Sequence, residues 1–293
     1  MKSIEELKEI AAQVRRDILR MVYNASSGHP GGSLGCADFL TALYFRVMHQ
    51  APEFSMEAKN EDAFFMSNGH ISPVLYSVLA RRGYFPLEEL STFRKINSRL
   101  QGHPTTHEGL PGIRTATGSL GQGLSVGVGM ALAKKIDKDP GFVFVSTGDG
   151  ELQEGQIWEA VMFAPFHKLD NLIVVVDWNG QQIDGSNNDV LSLGDLEGKW
   201  RSFGWRVTVT NGNDMESIVH ALEEAKTHVG TQIPTVILMR TNMGEGVDYM
   251  MGTHAWHGKA PNKEQLDKGL AQLPETLGDF VYNENYQAPL PKH

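Results

Sequence analysis

The sequence predicts an α/β fold, a parallel sheet with helices on both faces, from three observations. Short apolar or β-branched runs recur at 63–66, 142–145, 172–176, 207–209 and 236–239. Stretches of helical spacing such as 215–225 separate them, without low-complexity linkers or internal repeats, and this alternation is the signature of a parallel sheet covered on both sides. Polar, glycine-containing motifs follow four of the five runs, at 67–70, 148–151, 177–180 and 240–246. They therefore collect at the carboxyl edge of the sheet, where open parallel sheets bind ligands.

Taken in order, the chain begins with a capping box, Ser3 with Glu6, followed by Ile4, Leu7, Ala11, Val14, Ile18 and Met21 at helical spacing. The first helix is amphipathic. Residues 118–133 are rich in small side chains, with Gly121, Gly123, Gly127 and Gly129 close together. Gly127 and Gly129 read as a helix packed tightly on the sheet, because mid-helix glycine costs about 1 kcal/mol unless close approach offsets it. A helix is expected from near Glu151, and a last capped helix from near Asn262 leads into a polar, Pro-containing tail.

With 293 residues, of which 41% are apolar, the chain can bury a sizeable core, and one large α/β domain is expected. The formal net charge of −9 argues against a nucleic-acid surface, which needs clustered Lys and Arg. A single cysteine, Cys36, excludes an internal disulfide and fits a reducing compartment, so a cytoplasmic location is expected. Residues 1–20 carry charges throughout and lack the apolar core of a signal peptide. No run approaches the ~20 apolar residues needed to span a membrane.

The most informative segment is Gly148-Asp149-Gly150, with Asn179 standing 30 positions after Asp149. Alone, a Gly-Asp-Gly reads as a turn. Paired with an asparagine that also follows a strand, it becomes a candidate metal-diphosphate site, since a carboxylate and an amide oxygen suit a hard cation such as Mg²⁺. A dication would also offset the repulsion between a diphosphate and an acidic protein. Gly148 and Gly150 permit close approach of backbone to phosphate, and the helix expected next would aim its amide dipoles at the anion. His29, His70, His103 and His257 each sit beside glycine in a loop-like segment, where an imidazole with an ordinary pKa near ~6.5 can reach a ligand and exchange protons. His254 reads as structural, while His107, His167, His220 and His228 lack such a setting.

The Gly-Asp-Gly with its distant Asn is similar to the signature of thiamine diphosphate enzymes. Within them the chain resembles the transketolase family from Ser27 to about Pro261, through Ser27-Gly28-His29-Pro30-Gly31, Ser67-Asn68-Gly69-His70, Gly102-His103-Pro104, Thr117-Gly118-Ser119-Leu120-Gly121-Gln122-Gly123 and Thr253-His254-Ala255-Trp256-His257-Gly258. This resemblance implies thiamine diphosphate with Mg²⁺, or Ca²⁺ or Mn²⁺ in its place, the metal held by Asp149, Asn179 and the backbone carbonyl of Gln181. The family usually has an apolar residue at the position of Gln181. It further implies that His70, Gly150, Asn179 and His257 contact the cofactor, that Gly118, Ser119 and Leu120 lie along its rings, and that His29, His103 and His257 face the donor sugar. The implied reaction is transfer of a two-carbon ketol unit from a ketose phosphate to an aldose phosphate, as in the pentose phosphate pathway.

The resemblance divides the chain into a cofactor-binding domain, 1–265, and a helix end and tail, 266–293. The pyrimidine-binding and C-terminal domains of full-length transketolases are not in this sequence and are expected on a separate partner chain, with two copies of each chain. Glu154 and Glu159 read either as an exposed helix face or, by resemblance, as residues near the dimer interface. Arg114 is a basic residue near the expected site without an assigned role. The alternatives are part of a 2-oxo acid dehydrogenase, a transketolase for an unusual sugar phosphate, and a non-catalytic cofactor-binding module.

Overall fold

The computed structural model describes residues 1–50, 53–283 and 285–289. The end of the expected tail, residues 290–293, lies outside the described residues. Helix α1, Ile4–Ala25, opens with the expected capping box: the Glu6 amide donates to Ser3 Oγ at 3.2 Å and the Ser3 amide to Glu6 Oε2 at 2.8 Å. Short helices α2, Pro30–Gly35, and α3, Ala37–Ala42, follow. Strand β1, Ala63–Met66, leads through a 3₁₀ turn to α4, Ser72–Arg82. Helix α5, Gln122–Asp137, precedes strand β2, Val143–Gly148, and α6, Gly155–Phe166.

Strand β3, Leu172–Trp178, is followed by a two-strand hairpin, β4 Gln181–Gln182 and β5 Gly185–Ser186. Next come α7, Asn187–Val190, α8, Leu196–Ser202, strand β6, Arg206–Asn211, α9, Met215–Thr227, strand β7, Thr235–Arg240, and α10, Lys263–Gln272.

All five expected apolar runs become strands of one parallel sheet, in the order β1-β2-β3-β7-β6. Alternation within each strand divides the core. Phe64, Phe144, Ile173, Val175 and Ile237 pack toward α1, α3, α4 and α9, whereas Phe65, Val145, Val174, Val176 and Val236 pack toward α5, α6 and α8. Burial of each such side chain contributes about 1.5–3 kcal/mol, so the sheet position of every strand end is firmly set.

Two expectations need correction. Gly127 does pack on the sheet: a Cβ there would stand 2.3 Å from Val145 Cγ2. Gly129 does not, because it lies on the exposed side of α5 with nothing within 4 Å of a Cβ. The second concerns the helix expected from Glu151. A 3₁₀ turn spans Gly150–Gln153, and α6 begins only after Glu154, whose extended ψ of 127° separates the two.

Beyond residue 265 the chain stays bound to α1. Arg16 Nη1 donates to the carbonyls of Leu270 at 2.9 Å and Leu273 at 2.8 Å, satisfying groups at the end of α10. The Arg16 guanidinium also pairs with Asp279 at 2.8 Å, and Gln13 Nε2 donates to the same carboxylate at 2.9 Å. Among the described residues no helix is long and apolar enough to cross a membrane.

Candidate functional site

Parallel pairing continues to the last residues of the central strands, where Gly148 lies opposite Asp177. Asp149 and Asn179 thus leave adjacent strands at the same edge. The Asp149 carboxylate, 1% exposed, accepts from the Gly150 amide at 2.8 Å and, through its other oxygen, from the Gly180 amide at 2.6 Å. The Asn179 Oδ1 accepts from the Gln181 amide at 2.8 Å, closing the turn into the β4–β5 hairpin. Burial, and then the neighbouring Asp177 carboxylate, push the Asp149 pKa up to about 7. Asp177 is itself buried, and burial raises its pKa as well.

Glu151 lies within the 3₁₀ turn that follows β2. Its side chain folds back to accept from the Gly148 amide at 3.0 Å, from the Gly121 amide at 2.8 Å and from the Ser67 hydroxyl. One buried carboxylate so ties together the loops after β1 and β2 and the start of α5. Gly118, at φ +132°, brings its backbone against His103: a Cβ would stand 2.8 Å from His103 Cδ2. Only glycine combines this φ with such an approach.

Four imidazoles converge on the same edge from four separate loops. The His29 ring centroid lies 5.2 Å from that of His70, 5.6 Å from His257 and 6.2 Å from His103, while His70 and His257 stack at 5.0 Å. Burial lowers the pKa of all four, and nearby His257 adds to the effect on His29 and His70. His29 falls to about 4. The cluster is therefore neutral at pH 7, each ring offering one donor and one acceptor nitrogen. Nδ1 of His29 and Nδ1 of His257 are buried without a protein partner.

A cavity of about 360 Å³ unites these groups, lined by His29, His70, His257, Gly118, Leu120, Asp149, Gly150, Asn179 and Gln181, among others. His103 does not line it but stands behind His29 and Gly118, and Ser119 is exposed beside it. Of the two acidic residues considered above, Glu154 lines the cavity and Glu159 does not, although both are exposed. Arg114 is engaged elsewhere: its guanidinium donates to Glu61 at 2.9 Å and lies over the Phe54 ring at 4.7 Å. His254 is exposed in a 3₁₀ turn.

Sequence reasoning missed several neighbours of this cavity. Asn68, Glu151, Asp177, Gln182 and Met243 line it. Arg94, half-buried, donates to Ser27 Oγ at 3.1 Å and adds to the lowered pKa of His29 and His103. Asn68 and Glu151 belong to motifs already singled out, and Asp177 stands two residues before Asn179. Arg94 carried no sequence signal, because its proximity to the histidines arises only in the folded chain.

A parallel sheet with buried carboxylates, an asparagine and imidazoles gathered round a cavity at its carboxyl edge has the form of a ligand-binding α/β domain. Residues 7–283 match the family described as "Transketolase, thiamine diphosphate binding domain". The chain is 39% identical over 282 residues to one of the subunits of the apulose-4-phosphate transketolase of Phocaeicola vulgatus, covering 96% of this chain and 99% of that protein. It is 40% identical over 268 residues to a 6-deoxy-6-sulfo-D-fructose transketolase subunit of Clostridium sp., covering 92% and 96%. The crystal structure of transketolase from Campylobacter jejuni superposes with a TM-score of 0.86 at 33% identity, over 97% of this chain and 45% of that one. The chain belongs to the transketolase family and corresponds to its N-terminal, thiamine diphosphate-binding part. It spans nearly the whole length of the subunit relatives and less than half of the solved transketolase.

Proposed function

We propose that this chain is the diphosphate- and metal-binding subunit of a two-component transketolase. The observation that carries the reading is the convergence of Asp149 and Asn179, on adjacent strand ends, with the neutral imidazoles of His29, His70 and His257 at one cavity, His103 standing beside His29. The donor set fits a divalent cation, because Asp149, Asn179 and the Gln181 carbonyl offer only oxygen, the preference of Mg²⁺, with Mn²⁺ and Ca²⁺ as substitutes. The electrostatics fit as well. Two carboxylates, Asp149 and Asp177, are buried there and the charge of Asp177 disfavours that of Asp149, a repulsion that a dication relieves.

In this reading His70, the Gly150 backbone, Asn179 and His257 hold thiamine diphosphate, with Gly118, Ser119 and Leu120 along its rings. When bound, the cofactor supplies the electron sink for the carbon-carbon bond broken beside the ketose carbonyl. His29, His103 and His257 orient the donor hydroxyls. Being neutral, each imidazole donates from one nitrogen and accepts at the other, and the partnerless Nδ1 atoms of His29 and His257 are available for this. The substrates are a ketose donor and an aldose phosphate acceptor. The two subunit relatives named above take an apulose phosphate and a sulfofructose, which favours a less common sugar over those of the pentose phosphate pathway.

The aminopyrimidine side of the site and its activating glutamate would come from a second chain, two copies of each forming the assembly in the cytoplasm. The test is reconstitution. These residues are expressed with and without a pyrimidine-half partner chain, then assayed for ketol transfer with Mg²⁺, thiamine diphosphate and a panel of ketose donors. Activity only with both chains supports the proposal, and full activity from residues 1–293 alone refutes it.

A further inference from the structure

We infer that Asp177 is a positioning residue that fixes which end of the Asn179 side-chain amide faces the metal. The inference rests on the metal reading above. An asparagine amide has two ends of almost equal shape, and only its oxygen can ligate a hard cation. In this chain both ends are determined. Asn179 Nδ2 donates to Asp177 Oδ2 at 2.9 Å, and Asn179 Oδ1 accepts from the Gln181 amide at 2.8 Å. A carboxylate can only accept and a backbone N–H can only donate, so a flipped amide would set oxygen against oxygen and donor against donor.

Asp177 is itself immobilised. It is 4% exposed at the end of β3, and its Oδ1 accepts from the Thr241 hydroxyl beyond β7. The strand and the segment that follows its neighbour thereby hold the carboxylate that orients Asn179. Such outer partners are worth about 10–100-fold in metal affinity.

The test measures Mn²⁺ binding to the full chain in the presence of thiamine diphosphate, by the electron paramagnetic resonance signal of free Mn²⁺. Asp177→Asn and Asp177→Leu remove the same charge, but only the asparagine keeps an acceptor for Asn179 Nδ2, its own amide group turning to Thr241 Oγ1. The expected result is binding at least ~10-fold weaker in D177L than in D177N. D177A, smaller than leucine and likewise without an acceptor, is expected to weaken binding as D177L does, and it tests the idea should D177L unfold. Near-ultraviolet circular dichroism of the metal-free variants checks that each is folded. Affinity of a folded D177L or D177A equal to that of D177N would overturn the inference. A wild-type chain that binds no Mn²⁺ would instead overturn the metal reading, and the inference with it.

Discussion

Asp149 should destabilise the metal-free protein, and Asp149→Asn exposes this. Burial and Asp177 raise its pKa from 3.8 to about 7, which at about 1.4 kcal/mol per pH unit disfavours the ionised folded chain by about 4 kcal/mol. The sign follows from the direction of the shift. A carboxyl raised in the folded state costs nothing below pH 3.8, costs progressively more as pH rises to about 7, and is constant above that. Asparagine removes the charge but turns one amide donor toward the Gly150 or Gly180 N–H, a mismatch costing about 1–3 kcal/mol. The metal-free variant should therefore be about 1–3 kcal/mol more stable than wild type at pH 8, and lose that advantage at pH 5. Urea unfolding in chelator at the two pH values measures it. Adding Mg²⁺ and thiamine diphosphate should then stabilise wild type, by about 2.7 kcal/mol at a hundred times Kd, and leave the variant unchanged. A variant less stable than wild type at pH 8, or an equal difference at both pH values, would refute the reasoning.

His29→Ala and His103→Ala should lower kcat or raise the donor KM in the reconstituted enzyme, with a smaller change in cofactor affinity by calorimetry; lost cofactor binding with normal sugar kinetics would reverse their roles. Gly127→Ala should destabilise by about 1–3 kcal/mol, because its Cβ meets Val145 at 2.3 Å. Gly129→Ala, in open space on the same helix, should instead stabilise by up to about 1 kcal/mol in thermal unfolding.

The sheet was legible because four of its strands are buried on both faces and so appear as continuous apolar runs, while β6, an edge strand, shows as alternating Val and Thr. Their ends were not. β2 and β3 continue through Ser146, Thr147 and Gly148 and through Asp177 and Trp178, polar or mixed residues that are strand only because the neighbouring chain pairs with them. The site was legible where chemistry is local, in the Asp149 motif and the glycine-flanked histidines. It was not legible where a side chain acts at a distance in sequence. Glu151 read as a helix start, yet its partners Gly121 and Ser67 lie 30 and 84 residues away. Arg114 read as near the site, yet Glu61 and Phe54 engage it. Gly129 shared the composition of Gly127 but lies on the other side of the helix, a difference in helical phase that a cluster of small residues conceals.

The most direct test of the central claim is anomalous scattering from crystals of this chain grown with Mn²⁺ and thiamine diphosphate. The account predicts one strong peak bridging the diphosphate to Asp149, Asn179 Oδ1 and the Gln181 carbonyl. Bound diphosphate with the metal peak away from these oxygens, or a cofactor seated outside the His70–His257 cavity, would contradict it.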